Sequence, residues 1–370
     1  MKTYKFRLLP SRSQRTKLKQ TLEVCRWVFN ETLARRKNAW ESEKRSVSLY
    51  ETNKMLTSWK TEKPELKQVH SQVLQNVQER VDLAFQSYFR RVKAHAAEVG
   101  YPRFKGYGRY ASLTFKQSGF DVLENGVMVS KIGAIKMIQH RPVEGKIKTL
   151  TIQRDAAENW YACIACEVEP TRLPFNDLAV GIDVGLTPFA TLSKGVPVDN
   201  PRFFRRDEVE LGKAQRRYSQ DRSPKRHKVI AHIHQRIANR RKDFAHKLSR
   251  EWVNGCGAIF FENLSIQNMM PNHQLAKSIG DAAWSQLIQY TQYKAVNAGR
   301  VCELVDARGT SQRCSGCGSV VQKDLSVRIH DRPACGLVLD RDLNASLNIE
   351  ALGLESLGYA LEAPAFRRGE

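Results

Sequence analysis

Three carboxylates stand in contexts that ordinary surface acids do not share. Asp183 lies inside Val180-Gly181-Ile182-Asp183-Val184-Gly185, an apolar run of strand character. A carboxylate there is costly unless something pairs with it, and Gly181 and Gly185 are expected to keep its surroundings open. Glu262 ends Ala258-Ile259-Phe260-Phe261, where a buried strand emerges. Asp342 opens the final helical stretch, in Asp340-Arg341-Asp342-Leu343-Asn344-Ala345. Each acid has an ordinary reading alone: Asp183 as a turn residue, Glu262 as a strand-end charge, Asp342 as a helix N-cap in competition with Asp340. Together they describe a hard-oxygen metal site. Two carboxylates about 4 Å apart repel by roughly 4 kcal/mol at an effective dielectric of ~20, and Mg²⁺ turns that cost into binding. A pair of such ions can activate a water and stabilise the leaving 3′-oxygen of a phosphodiester. None of the three motifs carries Cys or His, which favours Mg²⁺ over zinc.

The cysteines raise a second possibility. Eight are spread over the chain and group only at Cys314, Cys317 and Cys335, a pattern that fits a reducing compartment and one metal-site candidate. Cys163 and Cys166 sit three apart in Trp160-Tyr161-Ala162-Cys163-Ile164-Ala165-Cys166, which reads as a strand, so they point to opposite faces and are packing residues.

The elements that must position these groups follow from periodicity. Residues 1–9 read as a strand with Tyr4, Phe6 and Leu8 on one face. Leu18, Leu22, Cys25, Val28 and Phe29 then recur at helical spacing. A second helix is expected over roughly 43–60, and a third over about 70–99 with Leu74, Val77, Val81, Phe85, Tyr88 and Val92 as its stripe. From 110 to 170 the texture turns to short alternating runs, a small β domain joined by the N-terminal strand. Strands at 178–185 and 189–193, a turn at Lys194-Gly195, a basic helical stretch over 203–254 broken near Ser223-Pro224, a strand at 258–264, a helix at 283–298, a strand at 301–307 and a last helix give an α/β order. The tryptophans, such as Trp27 and Trp284, fall at apolar helical positions and read as core.

Composition names the partner class. Sixty Lys and Arg against 38 Asp and Glu give a net charge of +22. Such a field favours polyanions, nucleic acid before a membrane surface, and no apolar run approaches the ~20 residues that span a bilayer. The densest basic stretch includes Arg216, Arg217, Arg236, Arg240, Arg241, Lys242 and Lys247. A solvated helix face is the usual meaning of such a run; its scarcity of acids and its place between two acid motifs point instead to phosphate contact.

Several motifs occur in one order: Gly100-Tyr101-Pro102-Arg103-Phe104-Lys105, Gly181-Ile182-Asp183-Val184-Gly185, Phe261-Glu262-Asn263-Leu264, Asp281-Ala282-Ala283-Trp284, Thr310-Ser311-Gln312-Arg313-Cys314-Ser315-Gly316-Cys317-Gly318, and Asp340-Arg341-Asp342-Leu343-Asn344-Ala345. In this the chain resembles the TnpB (OrfB) family, transposon-encoded RNA-guided DNA endonucleases related to type V CRISPR effectors. The resemblance implies a multidomain α/β fold: a first wedge strand at 1–10, a helical recognition domain at 11–100, a wedge β-barrel at 101–176, a RuvC-like (RNase H-like) nuclease in parts 177–307 and 339–360, a zinc-ribbon-like insert at 308–338, and a tail at 361–370. It puts Asp183, Glu262 and Asp342 on the catalytic positions, with two Mg²⁺ ions. It implies a guide RNA from the transposon end and double-stranded target DNA, chosen by guide pairing beside a short flanking motif, in a cytoplasmic, nucleoid-associated ribonucleoprotein with one protein copy. By similarity Gln75, Lys116 and Gln117 read the motif, and Arg103 and Lys105 contact backbone. One departure stands out: Arg332 replaces the family's third ribbon cysteine, leaving Cys314, Cys317 and Cys335, with His330 as a candidate fourth zinc ligand. The altered ribbon keeps a guided DNA-binding repressor open as an alternative, and the triad alone keeps an unguided transposase open.

Overall fold

Period-two burial sets the first strand: Tyr4, Phe6 and Leu8 of β1 (Lys2–Leu9) are each buried while their neighbours face out. The computed structural model describes residues 1–96, 98–306, 308–321, 327–332, 335–358 and 367–368, and divides into two units, Met1–Glu169 and Pro170–Glu370.

In the first unit Ser11 forms a capping box with Gln14 and starts α1 (Arg12–Glu43), which ends where Lys44 turns left-handed. A second box, Ser48 with Glu51, starts α2 (Leu49–Glu62). The expected helix at 43–60 therefore begins later, because residues between the two caps form the link. Helix α3 (Ser71–Lys93) buries Leu74, Val77, Val81 and Phe85 as expected. It stops at Lys93 rather than near 99, and the stripe does not reach its end. Val92 is exposed, and Tyr88 packs on Phe89 and Tyr101. Trp40 also departs from the core reading, at 55% exposed, because α1 runs past its last buried residue, Leu33.

Strands β2 (Ser112–Phe115), β3 (Phe120–Leu123), β4 (Gly126–Val129), β5 (Gly133–Ile138), β6 (Lys146–Arg154) and β7 (Trp160–Glu167) join β1 in one antiparallel sheet of order β2-β6-β7-β1-β5-β4-β3. Its two edge strands, β2 and β3, are consecutive in the chain, so a four-residue link, 116–119, draws the edges together and the sheet is nearly closed. Cys163 and Cys166 lie on opposite faces of β7, with Cys166 in the core. One hydrophobic cluster runs through β1, α1, α3 and the sheet.

The second unit is a sheet of order β10-β9-β8-β11-β12: β8 (Leu178–Val184), β9 (Pro188–Leu192), β10 (Pro197–Asp199), β11 (Ala258–Glu262) and β12 (Val301–Val305). The hairpin strands are antiparallel; β11 runs parallel to both β8 and β12. Between β10 and β11 lie α4 (Phe203–Gln220) and α5 (Pro224–Gly255), broken where the sequence places Ser223-Pro224. Helices α6 (Ile266–Met269) and α7 (His273–Ala282) precede α8 (Trp284–Ala298). A hairpin, β13 (Ile329–Arg332) and β14 (Leu337–Asp340), leads into α9 (Arg341–Ser356), and β15 (Arg367–Arg368) pairs with β8. The tail expected at 361–370 otherwise lies outside the described residues, as do 322–326 and 333–334 of the expected insert.

The two faces of this sheet differ. Val180, Ile182, Ile259 and Phe261 join Trp252, Leu287 and Ala295 in a core on one side. On the other, Ala179, Ala258 and Phe260 meet Ile349 and Leu354 of α9. Gly181 lies on this second face and its surroundings are closed, contrary to expectation. A Cβ there would sit 2.1 Å from the Ser346 carbonyl oxygen and 2.5 Å from the Glu350 nitrogen. Gly185 is also confined, by the Pro188 carbonyl oxygen at 2.9 Å. The glycine at 181 lets the α9 backbone lie directly on β8.

Candidate active site and nucleic-acid surfaces

The register of β8 and β11 pairs Ile182 with Phe261, so Asp183 and Glu262 follow as neighbours on the α9 face. Asp342 joins them from the first turn of α9. Asp340, not Asp342, caps that helix, accepting from the Asp342 nitrogen at 2.8 Å and the Leu343 nitrogen at 3.1 Å. Asp342 is thereby left for other work, although its side chain is buried.

The electrostatics record the convergence. Burial, then the charges of Glu262 and Asp342, push Asp183 from 3.8 up to about 8. Burial also raises Glu262, opposed by a hydrogen bond from Thr310. That hydroxyl donates to Glu262 Oε1 at 2.6 Å. Asp342 accepts from Arg328 on Oδ2 and from Arg341 on Oδ1, each at 3.2 Å, and Arg328 also donates to Thr187 at 3.0 Å. The sequence reading missed Thr310, Arg328 and Arg341 as parts of the site. The donor set is all carboxylate oxygen, and the charges of Glu262 and Asp342 add to the cost of ionising Asp183, so the residues fit a hard divalent cation.

A second cluster forms beside α9. The sulfurs of Cys314, Cys317 and Cys335 all lie within 4.8 Å of one another, with Cys314 and Cys335 3.7 Å apart. Hydrogen bonds from Ser319, its backbone N–H first and then its hydroxyl, lower the Cys317 thiol to about 6, favouring the thiolate a metal requires. His330 is fully buried in β13 and, among the described residues, stands outside this group. Three sulfurs fit zinc with one position left for another ligand.

Several of the basic residues are tied to acids or carbonyls. Buried Asp207 of α4 accepts from Arg236 at 3.1 Å and Arg240 at 3.2 Å, and Arg236 also pairs with Glu210. Arg241 donates to the Gly280 carbonyl at 2.7 Å and lies 3.6 Å from Asp281. Asp281 in turn accepts the Phe204 N–H at the start of α4. Arg236 and Arg240 brace the α4–α5 pair, and Arg241 ties α5 to α7. Lys247 pairs with Asp243 on an exposed turn, while Arg216, Arg217 and Lys242 are exposed.

In the first unit, Gln72 accepts the Gln117 N–H at 3.1 Å and Glu79 pairs with Lys116. Gln75, exposed on α3 between Gln72 and Glu79, thus shares a surface with Lys116 and Gln117. Arg103 and Lys105 are exposed on a loop pinned by Asn30, which exchanges two bonds with the Lys105 backbone at 2.8 and 3.0 Å.

The second unit is thus a mixed α/β unit with three acids converging on one face of its sheet. Residues 163–273 match the family described as "Probable transposase" (OrfB_IS605), residues 1–45 its helix-turn-helix domain, and residues 284–349 the Cas12f1-like TNB domain. The chain is 35% identical over 367 residues to a protein of Streptomyces pristinaespiralis provisionally named an RNA-guided DNA endonuclease, covering 95% of this chain and 89% of that one. InsQ of Escherichia coli (strain K12), with the same provisional name, is 28% identical over 379 residues, covering 95% and 92%. The CRISPR-associated endodeoxyribonuclease Cas12f1 of Sulfoacidibacillus thermotolerans is 29% identical over 264 residues, covering 62% and 60%. The chain belongs to the TnpB (OrfB) family of RNA-guided DNA endonucleases.

Proposed function

We propose that this chain is an RNA-guided endonuclease that hydrolyses phosphodiester bonds of guide-matched DNA beside a short flanking motif. The carrying observation is the level placement of Asp183 and Glu262 on neighbouring parallel strands, with Asp342 brought in on the helix that crosses them. The hairpin-plus-parallel strand order supports reading Pro170–Glu370 as RuvC-like. Mg²⁺ held by the three acids would supply an activated water and charge stabilisation at the leaving oxygen. The protein's own part is to gather the acids at the cost of their mutual repulsion and to keep them partly dry. In the metal-free protein Asp183 holds a proton near neutral pH, which cation binding must displace.

Arg216, Arg217 and Lys242, with Lys247, are the phosphate-facing set of α4 and α5; Arg236, Arg240 and Arg241 hold those helices in place. Gln75, Lys116 and Gln117 form the surface for the flanking motif, with Arg103 and Lys105 on nucleic-acid backbone. Zn²⁺ on Cys314, Cys317 and Cys335 would brace the insert.

The test is purification with co-expressed native flanking DNA, sequencing of the bound RNA, and cleavage of DNA matched to it in Mg²⁺. One abundant RNA and guide-dependent cutting are expected, with Asp183→Ala losing cutting and retaining RNA. Heterogeneous RNA, or cutting indifferent to the guide, refutes the reading. Guided binding without cutting by the unaltered protein supports a repressor instead.

A further inference from the structure

We propose that Thr310 is a positioning residue of the nuclease site: its hydroxyl fixes one oxygen of Glu262 and turns the other toward the cation shared with Asp183 and Asp342. The inference rests on the reading that those acids hold a metal. Glu262 ends a strand, where its side chain can rotate about three bonds, and the Thr310 hydroxyl meets Oε1 at 2.6 Å. A hydroxyl has one proton to give, and Thr310 is only 3% exposed, so water competes poorly for it.

What makes this more than a chance contact is how Thr310 is held. It follows Gly309, whose positive φ of 78° turns the chain, and the Gln312 and Arg313 N–H groups close the turn on the Gly309 carbonyl at 3.0 and 2.8 Å. Two buried asparagines of α9 then fasten the turn. Asn348 donates to the Thr310 and Arg313 carbonyls, each at 2.7 Å. Asn344 donates to the Arg313 carbonyl at 2.8 Å and accepts the Ser315 N–H at 2.9 Å. Asparagines on the buried face of a helix are costly unless satisfied, and these are satisfied by this one turn. Helix α9 also carries Asp342. A continuous path therefore runs from Asp342 through α9 and Asn348 to Thr310 and Glu262, and it sets the separation of two acids contributed by unconnected elements. A group that holds a metal ligand in this way typically changes metal affinity by about 10–100-fold when removed.

Thr310→Val keeps the shape and removes the proton; Thr310→Ser keeps the proton and removes a methyl. The probe is Mn²⁺-dependent thermal stabilisation of the full chain freed of RNA, paired with the Mg²⁺ dependence of guided cleavage by the ribonucleoprotein. T310V should raise both metal midpoints by roughly tenfold and leave guided DNA affinity unchanged; T310S should restore both midpoints. Unchanged midpoints in T310V overturn the proposal. So does a T310S defect equal to that of T310V, which would mean the methyl packing matters and the proton does not. Asp183→Ala separates the underlying reading: if it leaves Mn²⁺ stabilisation of the chain intact, the acids do not hold the ion, and the metal reading fails whatever Thr310 does.

Discussion

Replacing Asp183 with asparagine should make the metal-free protein more stable, not less, above neutral pH. The carboxyl is raised from 3.8 to about 8 by burial and by Glu262 and Asp342. Between those values the folded chain keeps a proton that the unfolded chain releases, so stability falls as pH rises through the window. The rise corresponds, at 1.36 kcal/mol per tenfold change in proton affinity, to a ceiling of about 6 kcal/mol by pH 8. Relaxation of the cleft and entry of water reduce this to an expected ~2–3 kcal/mol. Asparagine occupies the same volume and cannot ionise, so it escapes the loss. For a unit of this size the gain is about 4–12 °C in melting temperature. Thermal melts in chelator from pH 4 to 8 measure it. D183N should match the unaltered protein near pH 4, exceed it progressively to pH 8, and fall behind once Mg²⁺ is added, because only the carboxylate gains from the cation. A D183N protein that melts below the unaltered one at pH 8 in chelator, or by a margin independent of pH, would refute the electrostatic account of the site.

Gly181→Ala drives a methyl into the α9 backbone at 2.1 Å and should cost about 3 kcal/mol or more, read as loss of soluble protein or a large fall in melting temperature. Asp281→Ala removes the acceptor for the Phe204 N–H at the start of α4 and the charge beside Arg241, and should destabilise by about 1–2 kcal/mol in denaturant melts while leaving the metal midpoint alone. Arg216→Glu with Arg217→Glu should weaken RNA binding and flatten its salt dependence, whereas Arg240→Gln should act mainly on stability. Arg332→Cys would add a fourth thiol to the Cys314, Cys317 and Cys335 set and should tighten Zn²⁺ retention against a chelator; equal retention would argue against zinc there.

The elements that position the acids were legible because their patterns are local. The apolar runs around Asp183 and Glu262 and the helical spacing after Asp342 need no tertiary knowledge, nor does the alternation of β1. The parts that stayed hidden are long-range. Nothing near Thr310 announces that its hydroxyl meets a residue 48 positions earlier, and nothing near Asp281 announces a helix start 77 positions away. Helix α7 is ten residues long and sits between two stronger signals, so its own periodicity does not announce it. Charge runs conceal pairing for the same reason: Arg216 and Arg240 look alike in sequence, and only the fold places Asp207 against the second. Gly181 misled because glycine marks both open space and the closest backbone approach.

The three acids enter the chain at positions 183, 262 and 342, and the last arrives only with the helix that lies across the other two. While the protein is being made, every intermediate length short of that helix carries an incomplete cluster. On the catalytic role proposed for these acids, competence to break DNA is deferred until α9 has been made.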